Sequence, residues 1–450
     1  MAQTPVIKNS VYTQAQLEGL VGQILDEAKR LGATSAEAAV SIESGLSVTA
    51  RMGEVETVEH NHDKGLGVTV YVGQRKGSAS TSDFGTEAIR DTVAAACRIA
   101  RYTAEDEYAG LADAELMAKD VVDLDLNHPW DVTPERAIAL ALESENAARS
   151  FDARIVNSEG ASVTSHQSYR VYGNSHGFVG AYGGTRHGIS CCVVGQEGDA
   201  MQRDYWYTSS RDACGLEAPD VVGNKAAERT VKRLGARRLK TCSAPVIFSA
   251  ELAGGLISNY LGAVRGGAQY RKSSFLLDCV DEQVFPEFVQ INERPLLPRG
   301  LSSASFDREG VATRDRDMVT NGVAQGYILD SYSARRLGLQ TTANAGGTRN
   351  VFVSHGDEDL YALCRKMDTG FLITDMMGHG TNMVTGDYSR GAAGYWVEKG
   401  EIQYPVEELT VAGNLKQMFM GIMAIGNDVD KRGNVQCGSI LLDNMTIAGE

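Results

Sequence analysis

Apolar residues near the start of the chain first recur at helical spacing and then alternate with polar residues. Leu17, Val21, Ile24 and Ala28 share one face of a helix, and Gly32 is a natural stop for that helix. Alternation with period two follows, and this pattern predicts half-buried strands. The strands are centred on residues 38–42, 46–48 and 66–70, and the expected turns are Gly45, residues 61–65 and Gly73.

A further succession of helices and strands is predicted before residue 240. Residues 89–100 carry one apolar helical stripe, whereas the acidic stretch 104–125 predicts a loop with a short helix at best. Thr133 and Pro134 then provide an N-cap and a first-turn proline for a third helix. The remaining predicted elements are strands in residues 162–171 and 189–194 and a helix over residues 218–234.

The character of the sequence changes after Pro245. Alternating apolar runs and many glycines dominate, and residues 250–264 form the one long helical pattern. The final third predicts a meander of strands with Lys399-Gly400 as a hairpin turn. We therefore predict an α+β fold with a mixed helix and sheet region at residues 1–240, divided into submodules 1–120 and 121–240, and a β-rich C-terminal domain at residues 241–450.

Length and composition support this division. The chain has 450 residues, more than the ~250–300 at which single cores stop growing. Its 49 glycines exceed the ~7% norm and its 9 prolines fall below the ~5% norm, which suits tight turns and short strands. The net charge of −15 repels phosphate backbones, so nucleic acid is not an expected partner.

The cellular compartment is predicted from what the chain lacks and from its cysteines. We read no signal peptide and no apolar run of about 18 residues, so neither export nor a membrane partner is expected. The eight cysteines show no CxxC spacing and predict reduced, mostly buried thiols in the cytoplasm. The basic cluster at residues 232–240 is interpreted as a helix C-terminus followed by a solvated linker rather than an anion site.

Candidate chemistry is sparse. His60 and His62, with Asp63, could supply half of a metal site, or they are ordinary polar turn residues. Ser389 lies in GDYSRGAAG, which is not a GxSxG elbow. The glycines between residues 378 and 394 could let a peptide approach the backbone, or the segment is the plain core of a sheet, which we favour slightly. The aromatic run at residues 204–207 suits cross-strand packing better than base stacking.

Several longer segments resemble the TldD/TldE (PmbA) family of peptidases, and the PmbA (TldE) branch matches best. The resemblance covers essentially the whole chain. It is carried by PVIFSAELAGGLISNYLGAVRGGAQYRKSSFLLD at residues 245–278, FDREGV at 306–311, NGVAQGYILDSYSARRLGL at 321–339, GDYSRGAAGYWVEKGEIQYPV at 386–406, the tail GNDVDKRGNVQCGSILLDNMTIAG, and TARMGEVETVEHNHDKGLGVTVYVGQRKGSAS at 49–80.

The resemblance also implies a lost metal site. In the metal-bearing TldD branch a helix carries the motif HExxxH. Its two histidines bind zinc and its glutamate is the general base. A cysteine near the C-terminus resembles the third protein ligand of the zinc ion. Here Ser258 and Ala263 stand at the histidine positions, Asn259 at the glutamate and Cys437 at the cysteine. An amide has no useful basicity and a lone thiolate does not hold catalytic Zn²⁺, so we expect no metal, cofactor or catalytic residue in this chain.

Three functions remain open from the sequence. The resemblance implies a non-catalytic subunit that pairs with a zinc-bearing TldD-like subunit, whose substrates are unfolded or short peptides such as leader peptides of peptide antibiotics and labile antitoxins. The alternatives are a stand-alone hydrolase with its own site, using Cys437 or Asp387 and Ser389, and a binding protein that modulates DNA gyrase.

Overall fold

A computed structural model describes residues 6–7 and 10–449 of the chain. Within those residues the α-helices are α1 (Gln14–Arg30), α2 (Thr86–Tyr102), α3 (Pro134–Phe151), α4 (Pro219–Lys232), α5 (Ala250–Ala263), α6 (Gly266–Tyr270), α7 (Ser331–Arg336), α8 (Leu360–Met367) and α9 (Leu415–Met420). None of these helices combines the length and apolarity that crossing a bilayer requires.

The strands are longest in the first half of the chain. They are β1 (Ser35–Arg51), β2 (Glu54–Val72), β3 (Arg75–Thr81), β4 (Ile155–Asn174), β5 (Val179–Glu197), β6 (Ala200–Ser210), β7 (Cys242–Phe248), β8 (Ile291–Glu293), β9 (Arg316–Thr320), β10 (Val323–Ala324), β11 (Val351–Val353), β12 (Gly370–Met377), β13 (Asp387–Glu398), β14 (Glu401–Asn414), β15 (Ile422–Ile425), β16 (Val435–Gln436) and β17 (Ile440–Ala448).

The first six strands form one antiparallel sheet in the order β3-β2-β1-β4-β5-β6. Helices α1 and α2 pack on one end of a sheet face, and α3 and α4 pack on the other end of the same face. The unit α-β-β-β-α therefore occurs twice, and the two units meet where β1 pairs with β4. We call the helix-covered side the helical face and the other side the open face.

Two turns predicted from the sequence are wrong. Gly45 lies inside β1, where it pairs with Asn61 of β2 and His166 of β4. A Cβ atom at Gly45 would collide with the side chains of those two neighbours. Residues 61–65 likewise lie inside β2. Glycine is needed at position 45 for the close approach of two side chains, not for a turn.

Helix and hairpin signals in the sequence are confirmed. Thr133 accepts a hydrogen bond from the Arg136 amide, and Pro134 begins α3. Lys399 and Gly400 connect β13 to β14 with φ angles of 53° and 77°. Two consecutive left-handed residues are typical of a tight hairpin turn whose twist matches the flanking strands.

The second half of the chain contains two further sheets. The smaller has the order β10-β9-β8-β11-β16, and the larger has the order β14-β13-β12-β7-β17-β15. An additional pairing joins Thr410–Ala412 of β14 to Thr446–Ala448 of β17, so five strands close on themselves. Helix α5 packs into the largest apolar core, beside this closed sheet. The fold is α+β with a β-rich C-terminal half, as the sequence predicts.

Candidate functional site

Helix α5 carries three of the four residues that the family resemblance places in a degenerate metal pocket. Ser258 is exposed and its hydroxyl donates to the Gly254 carbonyl at 2.8 Å. Asn259 is partly exposed, and its amide nitrogen donates to the Gly255 carbonyl at 3.1 Å. Ala263 is fully buried. Both polar side chains therefore bond the backbone of their own helix, which is an ordinary behaviour of short polar residues in helices.

Cys437, the fourth residue, follows β16, the strand that packs against α5. An atom added at Gly254 would lie 3.2 Å from the Val435 carbonyl oxygen, which shows how closely the helix approaches this segment. Cys437 is fully buried, and burial, with the Asp428 carboxylate nearby, raises the pKa of its thiol far above the usual range. The thiol donates weakly to the Gly438 carbonyl at 3.3 Å. This sulfur is kept as a neutral thiol.

These residues do not fit a catalytic zinc ion. Such a site needs three protein ligands and an open position for water, supplied by imidazole, thiolate or carboxylate groups. Here the positions offer a hydroxyl, an amide, a methyl group and a buried neutral thiol. Across residues 6–7 and 10–449, no group of three or more His, Cys, Asp or Glu side chains is arranged to hold a metal ion.

An ion-pair network joins the start of α5 to the first half of the chain. Arg229 of α4 contacts Glu251 at 2.8 Å and Asp204 of β6 at 3.2 Å. Arg432 lies 3.6 Å from Glu251 and stacks on the Trp206 ring at 4.1 Å from its centroid. We call this set the joint network. In the aromatic run at residues 204–207, Trp206 and Tyr207 pack against cations of the protein itself, which come from α4 and from the segment before β16 rather than from neighbouring strands.

The basic cluster at the end of α4 also forms ion pairs with carboxylates of the protein itself. Arg233 lies 3.0 Å from Asp375, and Lys232 lies 2.7 Å from Glu228. Arg238 pairs with Glu408. Helix α4 ends at Lys232 with Arg229 and Lys232 in its last turn, as the helix C-terminus interpretation expects.

The FDREGV segment, in which the sequence pattern indicates no chemistry, packs on the open face of the long sheet. The Asp307 carboxylate accepts three backbone N–H groups, from Glu309 at 2.9 Å, Val311 at 3.0 Å and Ala345 at 2.9 Å. Burial outweighs these bonds and raises the pKa of Asp307 to about 6. Phe306 packs edge-to-face on Phe178 of the segment before β5.

A cavity of about 530 Å³ lies beside this segment, between β1 to β3 and the second half of the chain. Glu37 and Glu309 both line it. Glu37 accepts the Tyr172 hydroxyl at 2.8 Å, and Glu309 accepts the Ser331 amide at 3.0 Å. Burial raises the pKa of both carboxyls, that of Glu309 to about 7. Glu309 can therefore exchange a proton near neutral pH. The FDREGV segment is recognisable in the sequence, but no sequence pattern indicates that Glu309 and Glu37 line the same cavity.

The histidines of β2 face a second, smaller cavity. His60 and His62 are exposed on the helical face and line a cavity of about 90 Å³ together with Trp130 and His187. His187 is buried, its Nε2 lies 2.9 Å from the His128 carbonyl, and its Nδ1 has no hydrogen-bond partner among the described residues. His60 and His62 are therefore residues of a strand that share one face, and the turn interpretation is wrong.

The other sequence candidates lie apart from α5 or are already paired. Ser389 and Asp387 are exposed in β13, and the Asp387 carboxylate accepts the Thr385 hydroxyl at 2.6 Å. Strand β13 pairs with β12 on one side and β14 on the other. The suggestion that the glycine-rich segment offers a free backbone edge is wrong for this strand, because both of its edges are occupied.

Three models of one family match the chain in order. They are described as PmbA/TldA metallopeptidase domain 1 at residues 36–100, the central domain at 127–234 and the C-terminal domain at 241–449. These matches cover most of the chain, which therefore belongs to the PmbA/TldD metallopeptidase family.

Curated relatives of similar length place the chain in the PmbA branch of this family. It is 51% identical to metalloprotease PmbA of Escherichia coli O157:H7, over 92% of both chains. It is 49% identical to the metalloprotease PmbA homolog of Haemophilus influenzae, over 97% of both chains. A zinc metalloprotease TldD homolog from Saccharolobus solfataricus is 24% identical over 54% of this chain and 58% of that relative.

Solved structures share the fold along nearly the whole length. A Bacteroides thetaiotaomicron protein named as a candidate modulator of DNA gyrase superposes with a TM-score of 0.91, at 27% identity, over 96% of this chain and 99% of that one. TldE from Thermococcus kodakarensis superposes with a TM-score of 0.84, at 20% identity, over 96% of this chain and all of that one.

Proposed function

We propose that this chain is the non-catalytic subunit of a heteromeric zinc metalloprotease of the cytoplasm. A TldD-like subunit supplies the zinc ion and the general base. The complex cleaves unfolded or short peptides, such as leader peptides of peptide antibiotics and labile antitoxins. This chain shapes the enclosure and binds peptide, and it performs no bond-breaking step.

The observation that carries the proposal is the chemistry of the α5 positions. Ser258 and Asn259 bond their own helix backbone, and Ala263 offers a methyl group. A water molecule there has no metal to lower its pKa and no carboxylate to accept its proton. Because the chain still belongs to a metallopeptidase family, we infer that it contributes to peptide cleavage by assembling with a catalytic subunit rather than by catalysing the reaction itself.

The test measures metal content and peptide cleavage in three samples: this chain, a TldD-like partner and their mixture. We expect no stoichiometric zinc in this chain, no turnover by it, and chelator-sensitive cleavage that the mixture raises well above the partner alone. Size-exclusion chromatography of the mixture should show a complex containing both chains. Stoichiometric zinc together with chelator-sensitive turnover by the solitary chain would overturn the proposal.

The burial of Cys437 argues against a stand-alone thiol hydrolase. A nucleophilic cysteine needs an accessible thiolate, whereas this thiol is fully buried and its pKa is strongly raised. Full alkylation of the accessible thiols should therefore leave the activity of the assembled complex unchanged.

A further inference from the structure

One long stretch of the first sheet has a free edge. Strand β2 pairs with β1 along its whole length, but β3 reaches only from Val72 back to Leu66. All eleven residues of the remaining stretch, 54–64, are exposed. Among the described residues, none makes a backbone hydrogen bond to the outer side of residues 58–62. We call residues 58–64 the free edge.

The register shows which backbone groups point outward. The two-residue turn at Gly73 and Gln74 makes Val72 and Arg75 a hydrogen-bonded pair. The N–H and C=O groups of every second residue therefore point toward β3, and the pairing with β1 continues without a bulge back to Thr57. It follows that Val58, His60, His62 and Lys64 aim their backbone groups away from β1, into solvent.

The side chains of this stretch are strongly acidic on one side. Residues 54–64 carry four carboxylates and one ammonium group. Glu59 pairs across with Ser47 and Asp63 pairs with Glu43, so these three acids share the open face. His60 and His62 lie on the helical face, beside the cavity that contains His187. A strand added here meets negative charge on one face and imidazoles on the other.

We propose that the free edge binds an extended basic peptide as an additional antiparallel strand. Main-chain hydrogen bonds to Val58, His60, His62 and Lys64 provide affinity for many sequences. Lysine or arginine at every second peptide position provides selectivity, because those side chains share the open face with the neighbouring Glu59 and Asp63, and Glu43 lies one strand further away on that face. A second copy of this chain is disfavoured as the occupant, because two such edges would oppose like charges.

Antiparallel addition makes a specific prediction about peptide amides. Residues that exchange hydrogen bonds across an antiparallel pair place their side chains on the same face. Peptide residues bonded to His60 and His62 therefore have side chains on the helical face, whereas the basic residues alternate with them and aim their amides into solvent. The basic residues should tolerate N-methylation, and the residues between them should not.

The test uses fluorescence anisotropy with a capped heptapeptide in which lysine alternates with threonine. N-methylation of the threonines should weaken binding by about tenfold or more, because it removes the main-chain hydrogen bonds that these residues donate to the free edge. N-methylation of the lysines should leave the affinity near that of the parent peptide. A peptide in which glutamate replaces every lysine should not bind. Equal affinities for the two methylated peptides would overturn the proposal.

Matched variants test the edge from the protein side. His60→Pro removes one outward N–H, and proline is tolerated at an edge strand whose N–H faces solvent. His60→Ala removes the same imidazole but keeps the N–H. We expect weaker peptide binding only for His60→Pro, and equal binding by both variants would contradict strand addition. If His60→Pro fails to fold, the methylated peptides still decide the question, because they use the unaltered chain.

Hydrogen exchange distinguishes a peptide from a second copy. The peptide should slow amide exchange in residues 54–64 of the full chain. If that segment is already protected without peptide, and protection falls on dilution, a second copy occupies the edge and the proposal is overturned. The interpretation of the peptide as a substrate rests on the proposed function. The binding of the peptide does not depend on that function, because binding is measured on this chain alone. Failure of binding would leave the zinc and reconstitution results untouched.

Discussion

At the residue scale, Glu309 shows how the fold changes the chemistry of one side chain. It follows Asp307 in a loop held against the open face of the sheet, and it lines the cavity that also contains Glu37. Burial raises the pKa of Glu309 to about 7, and the Asp307 carboxylate adds to the rise. The sequence predicts the segment as a family feature. It does not predict the pKa, because the groups that bury Glu309 come from distant parts of the chain.

This shift predicts a pH-dependent stability. Between pH 4.5 and 7 the unfolded chain ionises Glu309 while the folded chain keeps it protonated, so the free energy of unfolding falls as pH rises, by up to about 3 kcal/mol. Glu309→Gln keeps an acceptor for the Ser331 amide and removes the titration. We expect this variant to match the wild type near pH 4.5 and to exceed it in stability at pH 8.

Urea denaturation at a series of pH values measures the effect. Glu287→Gln, which changes an exposed carboxylate in the same half of the chain, is the matched control and should follow the wild-type curve. A Glu309→Gln curve parallel to the wild type from pH 4.5 to 8 would show that this carboxyl is not the source of the pH dependence.

At the element scale, the predictions succeed where one face of an element is buried. Strands such as residues 38–42 have a clear period of two because alternate side chains enter the core. Residues 54–64 of β2 are exposed on both faces, so their side chains carry no period and resemble a turn. Backbone pairing with β1 keeps that segment in a strand conformation. The order of apolar and polar side chains does not reveal such pairing when both faces are exposed.

The β13 to β14 hairpin offers a test at this scale. Gly400 has a φ of 77°, and a Cβ there would lie 2.8 Å from the Arg365 Cα. We expect Gly400→Ala to lower the free energy of unfolding by about 1–3 kcal/mol, from backbone strain and this collision. The matched change Lys399→Asn should be neutral or stabilising, because asparagine accepts a left-handed conformation readily. Thermal denaturation of the two variants measures the difference, and equal losses would contradict this account.

At the scale of the whole molecule, the duplicated α-β-β-β-α unit was not predicted from the sequence. The two units share the order of their elements and meet at β1 and β4. The predicted helices and strands were largely in the right places, but single-sequence patterns do not report which strands pair. The closure of β14 on β17 was missed for the same reason, because it joins segments that periodicity treats separately.

The joint network connects this duplicated unit to the closed sheet. Asp204 is almost fully buried, and it forms ion pairs with Arg229 at 3.2 Å and Arg233 at 3.5 Å. Glu251, at the start of α5, shares Arg229 with it. Removing one cation from such a network leaves a buried carboxylate without enough neighbouring positive charge. This loss lowers the free energy of unfolding more than the loss of a surface ion pair does.

We therefore predict that Arg229→Met lowers the free energy of unfolding by about 2–4 kcal/mol. Lys232→Met changes a cation of the same helix whose partner, Glu228, is exposed, and it should cost less than about 1 kcal/mol. In chemical denaturation with probes in each half, we expect the two transitions to coincide for the wild type and to separate for Arg229→Met, because the contact of Arg229 with Glu251 that links α4 to α5 is lost. Equal effects of the two variants would show that the halves are held together by their apolar contacts instead.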